Sequence, residues 1–235
     1  MAKAQFRFFS QYDNPRDHKE VNVKRLQQQK INSYAVDFYE GKLNKYGKTS
    51  VKSLDWGRKK SQQVRFAILT DFYPVSNKAV LDVGCGFADL YGYLKKTTKA
   101  KINYCGIELS KKIAAIAQQK YPQARIICDD FLAHGFGRQK FDIVYLSGTL
   151  NLVPPYGFEY RRRVIEKMYS LARIGVAFNL TSTYTARRYK TKHSYYAAPD
   201  SIFKFCKTIC DNVVLKHDYL PNDFTCYLYK NTGRG

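Results

Sequence analysis

Long apolar runs are the first thing this sequence lacks. Its apolar stretches, as around Val80 to Val83 or Gly175 to Leu180, fall far short of the ~20 residues a membrane-crossing helix needs. The opening MAKAQFRFFSQYDNPRD has no apolar segment of the kind that directs secretion, so a soluble, cytoplasmic protein is expected. Acidic residues are also scarce, 19 against 40 Lys and Arg, leaving a net charge of +21. Such an excess suits attraction to anions, whether nucleic acid, acidic headgroups or a phosphorylated or carboxylated small molecule. It is smallest between residues 61 and 130. Glycine and proline are sparse at 14 and 7, and 45% of residues are hydrophobic, which excludes collagen and disorder.

Metal-binding spacing is missing too. The six cysteines, at 85, 105, 128, 206, 210 and 226, form no CxxC pair. Cys206 and Cys210 are spaced to meet on one helix face, but no second Cys/His pair lies nearby, so no metal site is expected. Reduced thiols fit a chain without a secretion signal.

What is present is organised in two parts. From Glu20 to Tyr46, apolar residues ending in Ile31, Tyr34, Ala35, Phe38 and Tyr39 recur at helical steps, and Ser61 to Phe72 repeats the pattern through Val64, Ala67 and Ile68. Pro74 ends it, giving a helical cap or lid over residues 1–75. Residues 76–235 alternate short β-rich runs (79–83, 102–107, 124–128, 141–146, 174–180) with helical stretches (88–98, 109–120, 159–173). Such alternation implies right-handed βαβ units and an α/β fold with a mostly parallel sheet. Two last strand-like runs, Asn212 to Leu220 and Phe224 to Tyr229, flank Pro221-Asn222-Asp223 and read as a C-terminal antiparallel hairpin at the sheet edge.

The chemistry gathers where these strands end. AVLDVGCGFADLYGYL, residues 79 to 94, is a strand, an acidic residue, a glycine turn and a helix. Gly84 and Gly86 allow a sharp turn and close approach to a ligand, and the helix that follows offers free amides. Asp89 stands where a dinucleotide fingerprint would have its third glycine. The next strand ends in Glu108, roughly twenty residues beyond the turn, the position from which a carboxylate reaches ribose hydroxyls. One strand later come Asp129 and Asp130. Three acidic strand ends in a strongly basic chain point to one ligand lying across them.

VLDVGCG, GIEL, CDDF and FDIVYLSGTLNL together resemble the motif series of the class I, seven-stranded Rossmann-like methyltransferases that use S-adenosylmethionine. The resemblance covers residues 79 to about 230 and is closest to small bacterial members with an N-terminal helical cap. It implies S-adenosylmethionine as cofactor, S-adenosylhomocysteine as product, and an antiparallel strand inserted near the sheet's end. It also implies that Asp82 and the turn Gly84, Cys85 and Gly86 surround the methionine part, and that Glu108 holds the ribose. Asp130, or its neighbour Asp129, accepts from the adenine amino group, with Phe131 and Leu109 beside the ring and Ser147 near the sulfonium. Ala88 replaces a frequent glycine.

Other residues are candidates on position alone. Arg65, on the helix before the first strand, suits the cofactor carboxylate. Trp56, the only tryptophan, reads as a packing anchor. Methyl transfer from a sulfonium needs positioning more than a base, but an acceptor with a proton to lose needs one. His193 is the candidate, ahead of His134 and the His217-Asp218 pair, and Asn151 could orient the acceptor. VPPY at 153–156 is similar to the tetrapeptide of amine- and amide-methylating enzymes, but it does not directly follow the fourth strand. It reads as a loop-to-helix turn. Arg161, Arg162, Arg163, Arg187, Arg188, Lys190 and Lys192 would face an anionic acceptor or RNA. The expected function is methyl transfer to a small or medium-sized acceptor, anionic if these charges are functional. The alternatives are an RNA or protein methyltransferase and a cofactor-binding protein without turnover.

Overall fold

The structure, a computed structural model, describes residues 15–98, 100–153 and 157–231. Its element order is α1 (Pro15–Tyr46), α2 (Lys59–Thr70), β1 (Ala79–Val83), α3 (Asp89–Thr97), β2 (Asn103–Glu108), α4 (Lys111–Lys120) and β3 (Arg125–Cys128). There follow β4 (Phe141–Ser147), α5 (Phe158–Leu171), β5 (Ala172–Thr181), α6 (Pro199–Ile209), β6 (Asn212–Leu220) and β7 (Asp223–Tyr229). Single 3-10 turns occupy Val51–Leu54, Thr149–Asn151 and Arg187–Tyr189.

The strands form one seven-stranded sheet in the order β3-β2-β1-β4-β5-β7-β6. β1 to β5 pair in parallel, and β7 runs antiparallel between β5 and β6. Alternation along each strand explains why both faces are covered. In β1, Leu81 and Val83 join the core under α5 and α6 with Val164, Met168, Ile202 and Phe205. Val80 points the other way, into a second core where Phe66 and Leu69 of α2 and Leu90 and Leu94 of α3 pack on Ile143, Tyr145 and Tyr227. Central strands buried on both faces must be mostly apolar, as β4 and β5 are.

α2 therefore belongs to the sheet's helical layer, and of the segment before β1 it is mainly α1 and the Val51–Leu54 turn that stand over the strand ends. α6 corrects the sequence reading, which left residues 199–209 without an element. Pro199 fills a first-turn position where its missing N–H costs nothing, and Ile202, Phe205 and Cys206 supply the buried stripe. The turn proposed for Pro154-Pro155 lies outside the described residues. Among the described residues no helix is long and apolar enough to cross a membrane, and no group of His, Cys, Asp and Glu is placed to hold a metal ion.

Candidate active site

In open α/β sheets ligands bind beyond the carboxyl ends of the strands where strand order reverses, here between β1 and β4. A cavity enclosing about 1270 Å³, part of it open to solvent, lies there. Its floor is the ends of β1 to β5, and its roof is Asn32, Ala35, Val36 and Tyr39 of α1 with Leu54, Asp55 and Trp56 of the following turn.

The floor is built by tight turns. Gly84 (φ 67°) and Gly86 (φ 55°) are both left-handed. A Cβ on Gly84 would come 2.2 Å from Thr149 Oγ1, and one on Gly86 2.6 Å from Leu54 Cδ1, so neither position has room for a side chain. Ala88, with φ 55°, adopts a left-handed conformation that glycine would take without strain.

Glu108 closes β2 against this turn. Its Oε2 accepts from the Gly86 amide and its Oε1 from the Ser110 amide, each at 3.0 Å. Desolvation raises its pKa while these amides oppose the shift. With one of these amides on each oxygen, the carboxylate still has accepting capacity, an acceptor set that fits the hydroxyls of a vicinal diol. Asp130 is buried, with Oδ1 accepting from the Leu132 amide at 2.8 Å and Oδ2 from Asn32 Nδ2 of α1 at 2.9 Å. An exocyclic amine could meet Oδ2 as that amide NH₂ does. Asp129 is exposed and pairs with His134 at 2.8 Å, which holds its carboxyl below the usual range. Of the two aspartates, Asp130 is the interior one. Leu109, Phe131 and Ser147 also line the cavity. Ser147 Oγ accepts from Asn179 Nδ2 at 3.1 Å, and Asn179 Oδ1 accepts from the Gly148 amide at 3.0 Å, so a fully buried amide fixes the end of β4.

Arg65 also lines the cavity, but it has a partner the sequence gave no reason to expect. Its Nη2 donates to Asp223 Oδ2 at 2.5 Å, across 158 residues. Asp223 is fully buried at the start of β7, and burial pushes its carboxyl up while Arg65 opposes the shift. The Arg65 Nε and Asp223 Oδ1 have no hydrogen-bond partner.

Three sequence candidates do not line the cavity. Asp82 points to the opposite face of β1, where it accepts from Tyr104 Oη at 2.7 Å. Burial pushes its pKa up to about 7. Cys85 is buried against Gly106. His193 stands behind the rim: its Nε2 is 3.5 Å from Oδ2 of Asp55, which does line the cavity, and its ring lies 5.2 Å from that of Phe38. Asn151 reaches the cavity with its Oδ1 committed to the Thr181 amide at 3.0 Å.

The basic face is smaller than the sequence suggests. Arg161 is 1% exposed, its Nε and Nη2 donating to the Leu150 and Leu152 carbonyls at 3.0 and 2.8 Å, with its guanidinium 3.5 Å from the Tyr195 ring. It is a structural residue. Arg162 is shared between Glu159 and Glu166. Arg163, Arg187, Arg188, Lys190 and Lys192 remain exposed.

Sequence reasoning missed Asn32, Tyr39, Asp55, Asn179 and Asp223. Only Asn32 and Tyr39 carried a signal, since both lie on the first helix, in the segment expected to form a cap.

Residues 80–175 match the family model described as a methyltransferase domain. The chain is 27% identical over 157 residues, covering 65% of this chain and 93% of its relative, to Rv1506c of Mycobacterium tuberculosis, provisionally named a methyltransferase. It superposes on the magnesium protoporphyrin IX methyltransferase of Synechocystis PCC 6803, solved with bound S-adenosylhomocysteine, with a TM-score of 0.61, 18% identity and coverage of 88% of this chain and all of that one. An S-adenosylmethionine-dependent methyltransferase from Archaeoglobus fulgidus gives a TM-score of 0.59 at 12% identity, covering 74% of this chain and 95% of that one. At these identities the superpositions establish the shared fold.

Proposed function

We propose that this chain, a class I S-adenosylmethionine-dependent methyltransferase, transfers the methyl group to a small or medium-sized acceptor held beneath α1. The observation that carries the reading is the cavity itself: two inward carboxylates, Glu108 and Asp130, on successive strand ends, roofed by a helix from the same chain.

The residues present fit the cofactor. Glu108 offers free lone pairs to the ribose hydroxyls, Asp130 takes the adenine amino group, and Leu109 and Phe131 flank the ring. Gly84 and Gly86 let the backbone approach the methionine part, with Asp82 and Cys85 supporting that turn from behind. Arg65, held by Asp223, is the cation on the cavity wall for the carboxylate. When bound, the cofactor supplies a methyl group already activated on a sulfonium. The chain's share is to position the acceptor in line and exclude water, which α1 does as a lid. Where the acceptor has a proton to lose, Asp55 is the group on the cavity wall that can receive it, with His193 reaching it only from behind that carboxylate, and Asn151 and Ser147 border the reacting end.

Outside the cavity, the exposed Arg187, Arg188, Lys190 and Lys192 lie on the segment leading to His193, where they draw acceptors carrying negative charge. Tyr184 and Tyr189, 75% and 64% exposed, stand among them and favour RNA as a second reading.

Calorimetric titration with S-adenosylmethionine and S-adenosylhomocysteine tests the cofactor site, and labelled methyl transfer into metabolite, RNA and protein pools identifies the acceptor. Micromolar binding with transfer into the metabolite pool is expected. Transfer into RNA alone replaces the acceptor reading, binding without any transfer removes the activity, and absence of binding by folded protein removes the cofactor reading.

A further inference from the structure

The cavity carries the opposite charge to the chain. The protein stands at +21, yet among the described residues the charged groups lining the cavity are Asp55, Glu108, Asp129 and Asp130 against one cation, Arg65. Arg65 is paired with Asp223 at 2.5 Å and is the cation assigned above to the cofactor carboxylate. Lys42 meets Asp55 Oδ1 at 2.7 Å but does not line the cavity, and neither do Arg187, Arg188, Lys190 and Lys192. A phosphate or carboxylate brought inside therefore meets carboxylates and no free cation, where repulsion is screened less than in bulk water.

With Glu108 on the ribose, Asp130 on the adenine and Asp129 paired with His134, Asp55 is the carboxylate left for the acceptor. An uncommon backbone fixes it. Asp55 (φ 61°) is one of three non-glycine residues in the left-handed region among the described residues, and its amide donates to the Val51 and Lys52 carbonyls at the end of their 3-10 turn. Residues held in this way gather where the surroundings over-determine them, as at active sites. The ring of the next residue, Trp56, lies 3.5 Å from where a Cβ on Gly148 would be, which holds this segment over the end of β4. Asn151 stands three residues beyond Gly148. Its Oδ1 is taken by the Thr181 amide, and its Nδ2 has no protein partner among the described residues. An acceptor on Asp55 and a donor on Asn151 thus border the same end of the cavity, beside the apolar Val36, Leu150 and Leu152.

The pair discriminates between nucleophiles. Beside a carboxylate an amine is held as ammonium, which has no lone pair to give. An anionic oxygen is repelled. A hydroxyl has a proton for Asp55 and a lone pair for Asn151. We infer that Asp55 is a catalytic, specificity-determining residue that selects an uncharged hydroxyl as the methyl acceptor, so that the product is a methyl ether. The inference rests on the small-acceptor reading above. As the hydroxyl oxygen bonds to the methyl carbon and the carbon–sulfur bond breaks, the hydroxyl proton passes to the Asp55 carboxylate. Negative charge elsewhere on the acceptor stays outside, where the cations of the 187–192 segment are exposed.

Transfer of an isotope-labelled methyl group from S-adenosylmethionine into the metabolite pool tests this, with the product classed by NMR shift, by coupling to phosphorus and by release in mild alkali. An alkali-stable methyl ether is expected. A methyl ester, a methyl phosphate or a methyl group on nitrogen or carbon overturns the assignment. Asp55→Asn removes the charge and keeps a side chain that tolerates the left-handed backbone. It should slow transfer about 100-fold, while calorimetric affinity for S-adenosylmethionine stays within about threefold of wild type. Unchanged transfer, or affinity that falls in step with transfer, overturns the role of Asp55. Wild-type protein that binds no cofactor, or moves no label into this pool, overturns the proposed function instead, and this inference with it.

Discussion

The cavity has two halves built by different means. Beyond β1, β2 and β3 the wall is made locally: Glu108 is held by the Gly86 and Ser110 amides, and Asp130 by the Leu132 amide two residues away. Beyond β4 and β5 it is made from distant pairs: Arg65 with Asp223, Lys42 with Asp55, Asp55 with His193, Trp56 against Gly148. A half assembled from strand-end backbone presents fixed acceptors to a fixed ligand. A half assembled from long-range side-chain pairs can be reshaped by changing any one element.

The largest effect should come from breaking the distant half at its most buried pair. Asp223→Ala leaves the Arg65 guanidinium, about nine-tenths buried, without its counter-ion, and should lower unfolding stability by about 3 to 5 kcal/mol in denaturant titrations. A loss below about 1 kcal/mol would show that Arg65 finds another partner and that the pair does not hold this half together.

Asp82 sharpens the contrast from the other side, because it belongs to the local half by sequence but turns its carboxyl away from the cavity to Tyr104. Burial raises its folded pKa to about 7, above the unfolded value near 3.8. The folded state therefore binds the proton more tightly, and this group's contribution to stability is complete below about pH 4 and is lost as pH rises towards 7. Asp82→Asn should match the wild type at pH 4 and exceed it at pH 8 by roughly 3 kcal/mol. Equal pH profiles for the two proteins would mean that Asp82 is solvated or charge-paired.

Glu108→Ala tests the local half directly. It removes the carboxylate proposed for the ribose hydroxyls and should weaken S-adenosylmethionine binding about 100-fold, roughly 2.7 kcal/mol. Thermal stability should fall by only about 1 to 3 kcal/mol, because the Gly86 and Ser110 amides lose their acceptor while a carboxylate raised in pKa by burial is also removed. Unchanged cofactor affinity would place the ribose elsewhere.

The same division explains what could be read from the sequence. β1 and β6 coincide with the runs 79–83 and 212–220 because apolar, β-branched stretches bounded by turn residues carry their own signal. Glu108 and Asp130 were legible because strand-end position is a local property. α6 carries a weaker signal, a short stretch of eleven residues, although Pro199 followed by Ile202, Phe205 and Cys206 marks a helix start and its buried stripe. Asp223 could not be found at all, since its meaning depends on β7 bringing it to α2 across most of the chain. Arg161 misled for the same reason: a run of three arginines gives no sign that the first turns inward to cap carbonyls.

Asn32 crosses from one half to the other, and its substitution should have the smallest effect. Its amide reaches from α1 to Asp130 at 2.9 Å and is itself oriented by Gln28 at 3.0 Å. α1 has further anchors, Tyr34 to the Val153 carbonyl at 3.0 Å and Glu40 to Ser110 and Lys112. Removing one neutral donor from a carboxylate costs about 1 to 2 kcal/mol at most, partly recovered as water reaches Asp130. Asn32→Ala should therefore increase hydrogen exchange in α1 by about tenfold and leave S-adenosylmethionine affinity within about threefold of wild type. If affinity instead falls as far as in Glu108→Ala, α1 takes part in the proposed cofactor site, and the boundary between the local and the assembled halves moves to include α1.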